Sequence, residues 1–322
     1  MSLQSTTEVA LVKAEGCAIG TQGGALVSYL SFCTRGDRLF IAGNSAGLLS
    51  ALTLVPESAS QASMLSAQDE LIEVPPAGRV VQGAMSVVGY PVGSADYVRW
   101  VGAVPLDPPL VLTSTVAEHL RNLLRLKLAA RREAMSSSEQ AARIDDVLAR
   151  AGLPHCGPRQ LKTLSLPERR VLAIAGGMVS LPKAMVVNQP LWCLEGQGAE
   201  YVRGALEAAG HIARLVVSGT TVSPDSAEGA LARSSSDFLF VGGSESALFG
   251  APEEVLGKSR TFRVTVRSNG AALRSLLEAK GATTFGGATH FTVGGSSELD
   301  VTQVLRAAHE VRSPVVEVLP LM

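Results

Sequence analysis

The chain has 322 residues, enough to bury one large core or a large and a small one. With 28 basic and 29 acidic side chains and no basic stripe, nothing in it is built to attract nucleic acid, and that class of function is excluded. The opening stretch MSLQSTTEVALVKAEG lacks the blocks of a secretory signal, and no apolar run reaches the ~18 residues that suggest a membrane span. A cytoplasmic protein is expected, peripheral at the inner face of a membrane through partners and without direct insertion. Cys17, Cys33, Cys156 and Cys193 are scattered with no CxxC spacing, so no metal site is expected and they read as small apolar residues. His155 beside Cys156 lies in GLPHCGP, a turn-rich connector rather than a site.

In chain order, residues 7–13 read as a first strand, with turns at Gly16, Gly20, Gly23 and Gly24 before a second apolar stretch, Ala25–Phe32. Arg35-Gly36-Asp37 marks a tight turn. Leu39–Ala42 is a short buried strand that runs into Gly43-Asn44-Ser45-Ala46-Gly47 and an apolar helix, LLSALTLV. Strand, glycine-bearing loop and helix is the layout of a phosphate-binding loop. Residues 56–75 suit a mixed loop and strand excursion, and Arg79–Val88 reads as a strand. Asp96–Val104 is apolar and gives way to PLDPP, which cannot be helical.

Thr115-Val116-Ala117-Glu118 opens a helix with a capping box, and Ser136–Glu139 opens a second that runs to about Ala151. The basic pair Arg131-Arg132 between them reads as a solvated helix end. Ser165, with Glu168 three residues on, caps a third helix. Ala184–Val187, Leu215–Val217 and Asp237–Val241 are strands, with a helix over Tyr201–Ala209. This alternation predicts an α/β core with a mostly parallel sheet. From about Lys258 the order becomes strand 261–267, a helix from Asn269 or Gly270 to Lys280, a hairpin of 283–285 and 290–293, helix 300–311 and strand 315–319. That is β-α-β-β-α-β, the order of a small ferredoxin-like α+β domain.

Placed end to end, IAGNSAGLLSAL, VRWVGAVPLDPPLVLTSTVAEHL, LKTLSLPERRVLAIAGGMVSLPKAMVVNQPLWCLE, RLVVSGTT and SSDFLFVGGSESALFGAPEEVL resemble the ordered segments of an ABC-transporter ATPase subunit. The tail resembles the C-terminal domain of ATPases that serve ABC-2 exporters, including those linked to gliding motility. The resemblance implies a P-loop NTPase-like cassette over residues 1–256, a helical subdomain at about 108–180, and a ferredoxin-like domain over 257–322.

The same resemblance shows which chemistry is missing. An ATP site of this kind needs a lysine on the β- and γ-phosphates and a hydroxyl on magnesium; Leu48 and Leu49 stand there. Of the loop glycines, Ala42 and Ser45 replace two and Gly47 remains. Asn188 and Gln189 occupy the carboxylate positions, keeping shape without charge or basicity. Leu106 and Asp107 fill the glutamine loop, with Asp107 a surviving metal-competent group, and Thr220 stands for the switch histidine. The signature keeps Ser165, but Leu166 and Pro167 replace the glycines, and proline has no N–H to offer a phosphate. Trp192 falls in the aspartate loop, as a dimer contact or as ordinary core, and Glu195 closes that loop.

The resemblance therefore implies a pseudo-ATPase with no catalytic residues and no cofactor, structural or regulatory in a membrane transport or motility complex. It would form a homodimer, or a heterodimer with a competent ABC ATPase subunit, and would meet an integral-membrane permease. The alternative is a weak or half-site ATP-binding subunit that uses Mg-ATP through Asp107 or Glu195.

Overall fold

The computed structural model describes residues 9–21, 24–43, 45–54, 78–106, 108, 110–219, 222, 226–241, 247–258, 261–294 and 301–321. The predicted excursion at 56–75 lies outside them. The described residues form three sheets.

The first sheet is antiparallel, with order β2-β1-β4-β5: β1 Val12–Thr21, β2 Gly24–Cys33, β4 Arg79–Val87 and β5 Tyr90–Pro91. Of the predicted strand 7–13, residues 7 and 8 lie outside the described residues and β1 begins at Val12; Gly16 and Gly20 lie inside it rather than in turns. The pairing with β2 and β4 slips around these residues, and Gly16 stands at φ +53°. Glycines that read as turns are here irregularities in a twisted hairpin, where an extra residue must kink out of the ladder.

The second sheet has six strands in the order β10-β9-β3-β8-β7-β6. They are β3 Arg38–Gly43, β6 Val101–Val104, β7 Ala184–Val187, β8 Arg214–Ser218, β9 Asp237–Val241 and β10 Ala247–Gly250. All pairings are parallel except β10 with β9. A parallel sheet is covered on both faces, so its strands read as unbroken apolar runs. In β3, Leu39 and Ile41 face the first sheet while Phe40 and Ala42 face the helical layer. Ala184 and Val186 of β7 and Val216 of β8 take the first side; Met185, Val187, Leu215 and Val217 take the second.

The helices follow the sequence signals. α1, Ala46–Thr53, lies between the two sheets, and α2, Ala95–Trp100, resolves half of the apolar segment 96–104 into one helical turn and a half before β6. α3, Val116–Arg131, and α4, Ser137–Arg150, both begin at capping boxes: Glu118 accepts from the Thr115 N–H at 2.8 Å and Glu139 from the Ser136 N–H at 2.7 Å. α5 is Leu166–Met178. α6, Gly196–Gly210, starts five residues before the predicted Tyr201, because Gly196 and Gly198 in its first turn hide the periodicity. α7 is Ala227–Arg233 and α8 Pro252–Lys258.

The reading of Arg131-Arg132 as one solvated end needs correction. Arg132 is exposed in the left-handed cap of α3, whereas Arg131 turns inward, donates to the carbonyls of Arg99 and Ser180, and stacks over Trp100.

The third sheet, of order β12-β13-β11-β14, is built from β11 Thr261–Val266, β12 Thr283–Gly286, β13 His290–Gly294 and β14 Val315–Leu321. Two helices, α9 Gly270–Ala279 and α10 Val301–Glu310, pack on it around a separate core of Phe262, Val264, Leu273, Leu277, Phe291 and Val304. Antiparallel pairing in this order is the ferredoxin-like arrangement predicted for the tail.

Candidate functional site

The parallel register fixes where the predicted site residues meet. Ile41 pairs with Ser218 and Val187 with Val217, so the carboxyl ends of β3, β8 and β7 lie side by side. Ligands of open α/β sheets bind beyond such ends. Here the chain places Gly43 at the end of β3 and Ser45 after it, Asn188 and Gln189 after β7, and Ser218 at the tip of β8.

The loop after β3 is tight. Gly43 sits at φ +84°, and a Cβ on it would collide with the Val241 carbonyl at the end of β9. Ser45 is buried and its N–H donates back to the Gly43 carbonyl at 2.8 Å. Gly47 is packed against Gly78, whose N–H donates to Ser50 Oγ at 2.9 Å. Leu48 and Leu49 are both 0% exposed, within the apolar cluster that joins the first and second sheets. Ala42 is equally buried on the opposite face of β3. No cation faces the loop from position 48, and the first turn of α1 has no acidic side chain either.

Asn188 is buried, and its N–H pairs with the Val104 carbonyl at 2.9 Å. Its side-chain oxygen accepts from Ser218 Oγ at 3.2 Å, and Ser218 Oγ in turn accepts from the Gln189 N–H at 2.9 Å. Ser218 thus ties the Asn188 side chain to the Gln189 main chain. Its only sequence signal was a polar side chain closing an apolar strand, RLVVS. Gln189 stands at φ +44° and Cys193 at φ +60°, left-handed positions unusual for residues with side chains. Between them Trp192 is half-buried, its N–H donating to the Gln189 carbonyl at 3.1 Å. Leu106, beyond β6, is buried. Asp107 and Thr220 lie outside the described residues.

The signature positions form a second group. Glu168 accepts from the Ser165 N–H at 2.7 Å and from its hydroxyl at 2.9 Å, so the helix's own carboxylate occupies the start of α5. Leu166 and Pro167 are half-buried in the first turn, where proline is tolerated. A Cβ on Gly198 would lie 3.2 Å from Pro167 Cγ, so the proline packs on the first turn of α6, which follows the exposed Glu195. Arg159, unremarked in sequence, donates to Glu168 Oε1 at 2.5 Å and to the Thr163 carbonyl at 3.1 Å.

The Arg159 guanidinium, followed by the Ser165 N–H and hydroxyl, holds the Glu168 carboxyl below its ordinary value of 4.5. A depressed carboxylate stabilises the fold above its unfolded pKa and loses that contribution as pH falls through the folded one. The pair is partly exposed, so the effect is modest. Melting wild type and Glu168→Gln across the acid range should therefore show the wild type more stable near neutrality and the gap closing below pH 4.5. A gap independent of pH would show that the charge contributes nothing.

Among the described residues no group of three or more His, Cys, Asp or Glu side chains is arranged to hold a metal ion, and no helix is long and apolar enough to cross a membrane. No family model matches the chain. A stretch of 134 residues, 40% of the chain, is 28% identical to the ABC transporter ATP-binding protein/permease wht-1 of Caenorhabditis elegans, and it spans 20% of that protein. Solved structures agree over more of the chain. A nucleotide-free ATP-binding cassette from an ABC transporter matches with TM-score 0.56 and 15% identity, over 77% of this chain and 93% of that one. A bacterial ABC transporter cassette solved as a dimer matches with TM-score 0.56 and 16% identity, over 75% and 98%. An ATP-binding cassette dimer in a post-hydrolysis state with ADP and phosphate matches with TM-score 0.55 and 17% identity, over the same shares. At these identities the likeness is one of fold: the chain has the ATP-binding cassette fold.

Proposed function

We propose that this chain is a non-catalytic, ABC-ATPase-like subunit that serves a membrane transport or motility complex through its shape and contacts. The observation that carries this reading is Leu48. At the position where a cassette ATPase presents its phosphate-binding lysine, an apolar side chain is fully buried between two sheets. Phosphoryl transfer depends on positioned charge, and losing one such group costs orders of magnitude in rate. Asn188 and Gln189, amides at the carboxylate positions, support the same reading, with the Asn188 side chain accepting from Ser218. So does the amino end of α5, where Pro167 has no N–H and Glu168 already fills the anion position.

In this proposal residues 1–256 form the cassette and 257–322 an appended domain. The subunit works at the cytoplasmic face of a membrane as a homodimer or beside a competent ATPase subunit. Its permease contact would be the groove of about 290 Å³ between the β6 edge, α3 and α5, lined by Gly102, Pro105, His119, Leu123, Leu126 and Lys127. Leu126 is exposed at its rim, and the burial of His119 pushes its pKa down, toward the neutral ring that suits an apolar contact.

Calorimetric titration of the full chain with Mg-ATP at high protein concentration tests the reading. No saturable heat is expected. An isotherm with a dissociation constant of about a micromolar would overturn it in favour of a nucleotide-binding subunit.

A further inference from the structure

α2 ends where β6 begins, which leaves carbonyls at the junction in need of donors. Two cations one turn apart on α3 supply them. Lys127 Nζ donates to the carbonyls of Val98 at 2.6 Å and Val101 at 3.1 Å. Arg131 Nε donates to the Arg99 carbonyl at 2.9 Å, and its Nη1 reaches past the end of α5 to the Ser180 carbonyl at 2.6 Å. The contact is reciprocal, since Arg99 Nε donates to the Ala130 carbonyl of α3 at 2.9 Å.

Trp100 stands at the centre. The Arg131 guanidinium lies 4.3 Å from its ring centroid. Lys183, just before β7, has Nζ 5.1 Å from the Trp100 centroid and 5.1 Å from that of Tyr90, and it meets the Tyr90 hydroxyl at 2.5 Å. Tyr90 belongs to the first sheet, Lys183 and Trp100 to the ends of the second, and Arg131 to the helical layer. One point therefore ties three bodies together.

Cations near helix carboxyl ends are common and modest in effect when exposed. Here they come from a different helix, and burial lowers the pKa of both Lys127 and Arg131. Their acceptors are backbone carbonyls, which a neighbouring substitution does not remove. Lys127 and Arg131 follow Leu124 and Leu128 at three-residue spacing, so they continue the packed face of the apolar stripe Val116, Leu120, Leu124 and Leu128 to the end of α3. We propose that Lys127, Arg131 and Trp100 form a clasp that locks the helical layer to the six-stranded sheet, so the groove between them keeps a fixed width rather than opening and closing. This inference is independent of whether the chain binds nucleotide.

Hydrogen exchange on the full chain, read by mass spectrometry, tests it. In Lys127→Met/Arg131→Met, amides of 116–131 should exchange about tenfold faster or more, while those of β7 and β8 keep wild-type protection. Arg132→Met, at the exposed cap, should leave both regions unchanged. Unchanged exchange over 116–131 in the double variant overturns the clasp, as does an equal rise in both regions. If the double variant does not fold, Arg131→Lys gives the same comparison, since it keeps the charge and loses the planar fork. A rise confined to 116–131 then supports the clasp, and its absence overturns it.

Discussion

Leu48→Lys is expected to destabilise the fold by about 3–5 kcal/mol and to restore no affinity for Mg-ATP. The side chain it replaces is 0% exposed and packed with Leu39, Ile41, Val186 and Val216. Exchanging it loses the transfer free energy of a buried leucine, about 1.5–3 kcal/mol. It also forces an ammonium into an apolar layer, where the group either deprotonates or drags water in. Leu48→Met, which preserves volume and apolarity, should cost less than about 1.5 kcal/mol. Urea unfolding of both variants, with calorimetry against Mg-ATP, makes the comparison. A lysine variant that is as stable as wild type and binds Mg-ATP would mean that α1 can turn its amino end to solvent, and the non-catalytic reading would fail.

Asp237→Ala should be nearly as damaging, at about 3–5 kcal/mol. Asp237 opens β9 and is 2% exposed. Its carboxylate accepts from the N–H groups of Arg35 at 3.1 Å and Gly36 at 3.0 Å, holding the turn from β2 into β3. Each bond to a charged acceptor contributes about 1.5–3 kcal/mol, and truncation leaves both donors without a partner. Gly36 is set close against the Ser236 side chain, where a Cβ on it would collide. Asp237→Asn keeps an acceptor oxygen and should lose roughly half as much. Chemical unfolding curves for the two variants distinguish them; equal losses would assign the effect to packing rather than to the carboxylate.

Much of the fold was legible because its signals are local. The capping boxes at Thr115, Ser136 and Ser165 announced three helices, and the run Ala184–Val187 matched a strand of the same bounds. The ferredoxin-like tail followed from its element order alone. What escaped depends on contacts distant in sequence. Gly16 looks like a turn residue until two flanking strands impose a kink on it. Arg131 looks like its neighbour Arg132 until carbonyls 32 and 49 residues away claim it. In the site, the positions of Leu48 and Asn188 were readable from their order along the chain. Ser218 and Arg159 were not, since each acts through a partner brought near by the sheet or by a loop.

The loop after β7 has a consequence for how such a protein changes over time. Its path is written in main-chain torsions, at Gln189 and Cys193, and in bonds from Trp192 to Gln189 and from Leu194 to Leu191. Ser218 steadies it through the Gln189 N–H, a group every residue but proline possesses. An acid can therefore give way to an amide at 188 or 189 while the loop keeps its course. The course of this loop is therefore set by its main chain and does not depend on whether the side chains at 188 and 189 carry charge.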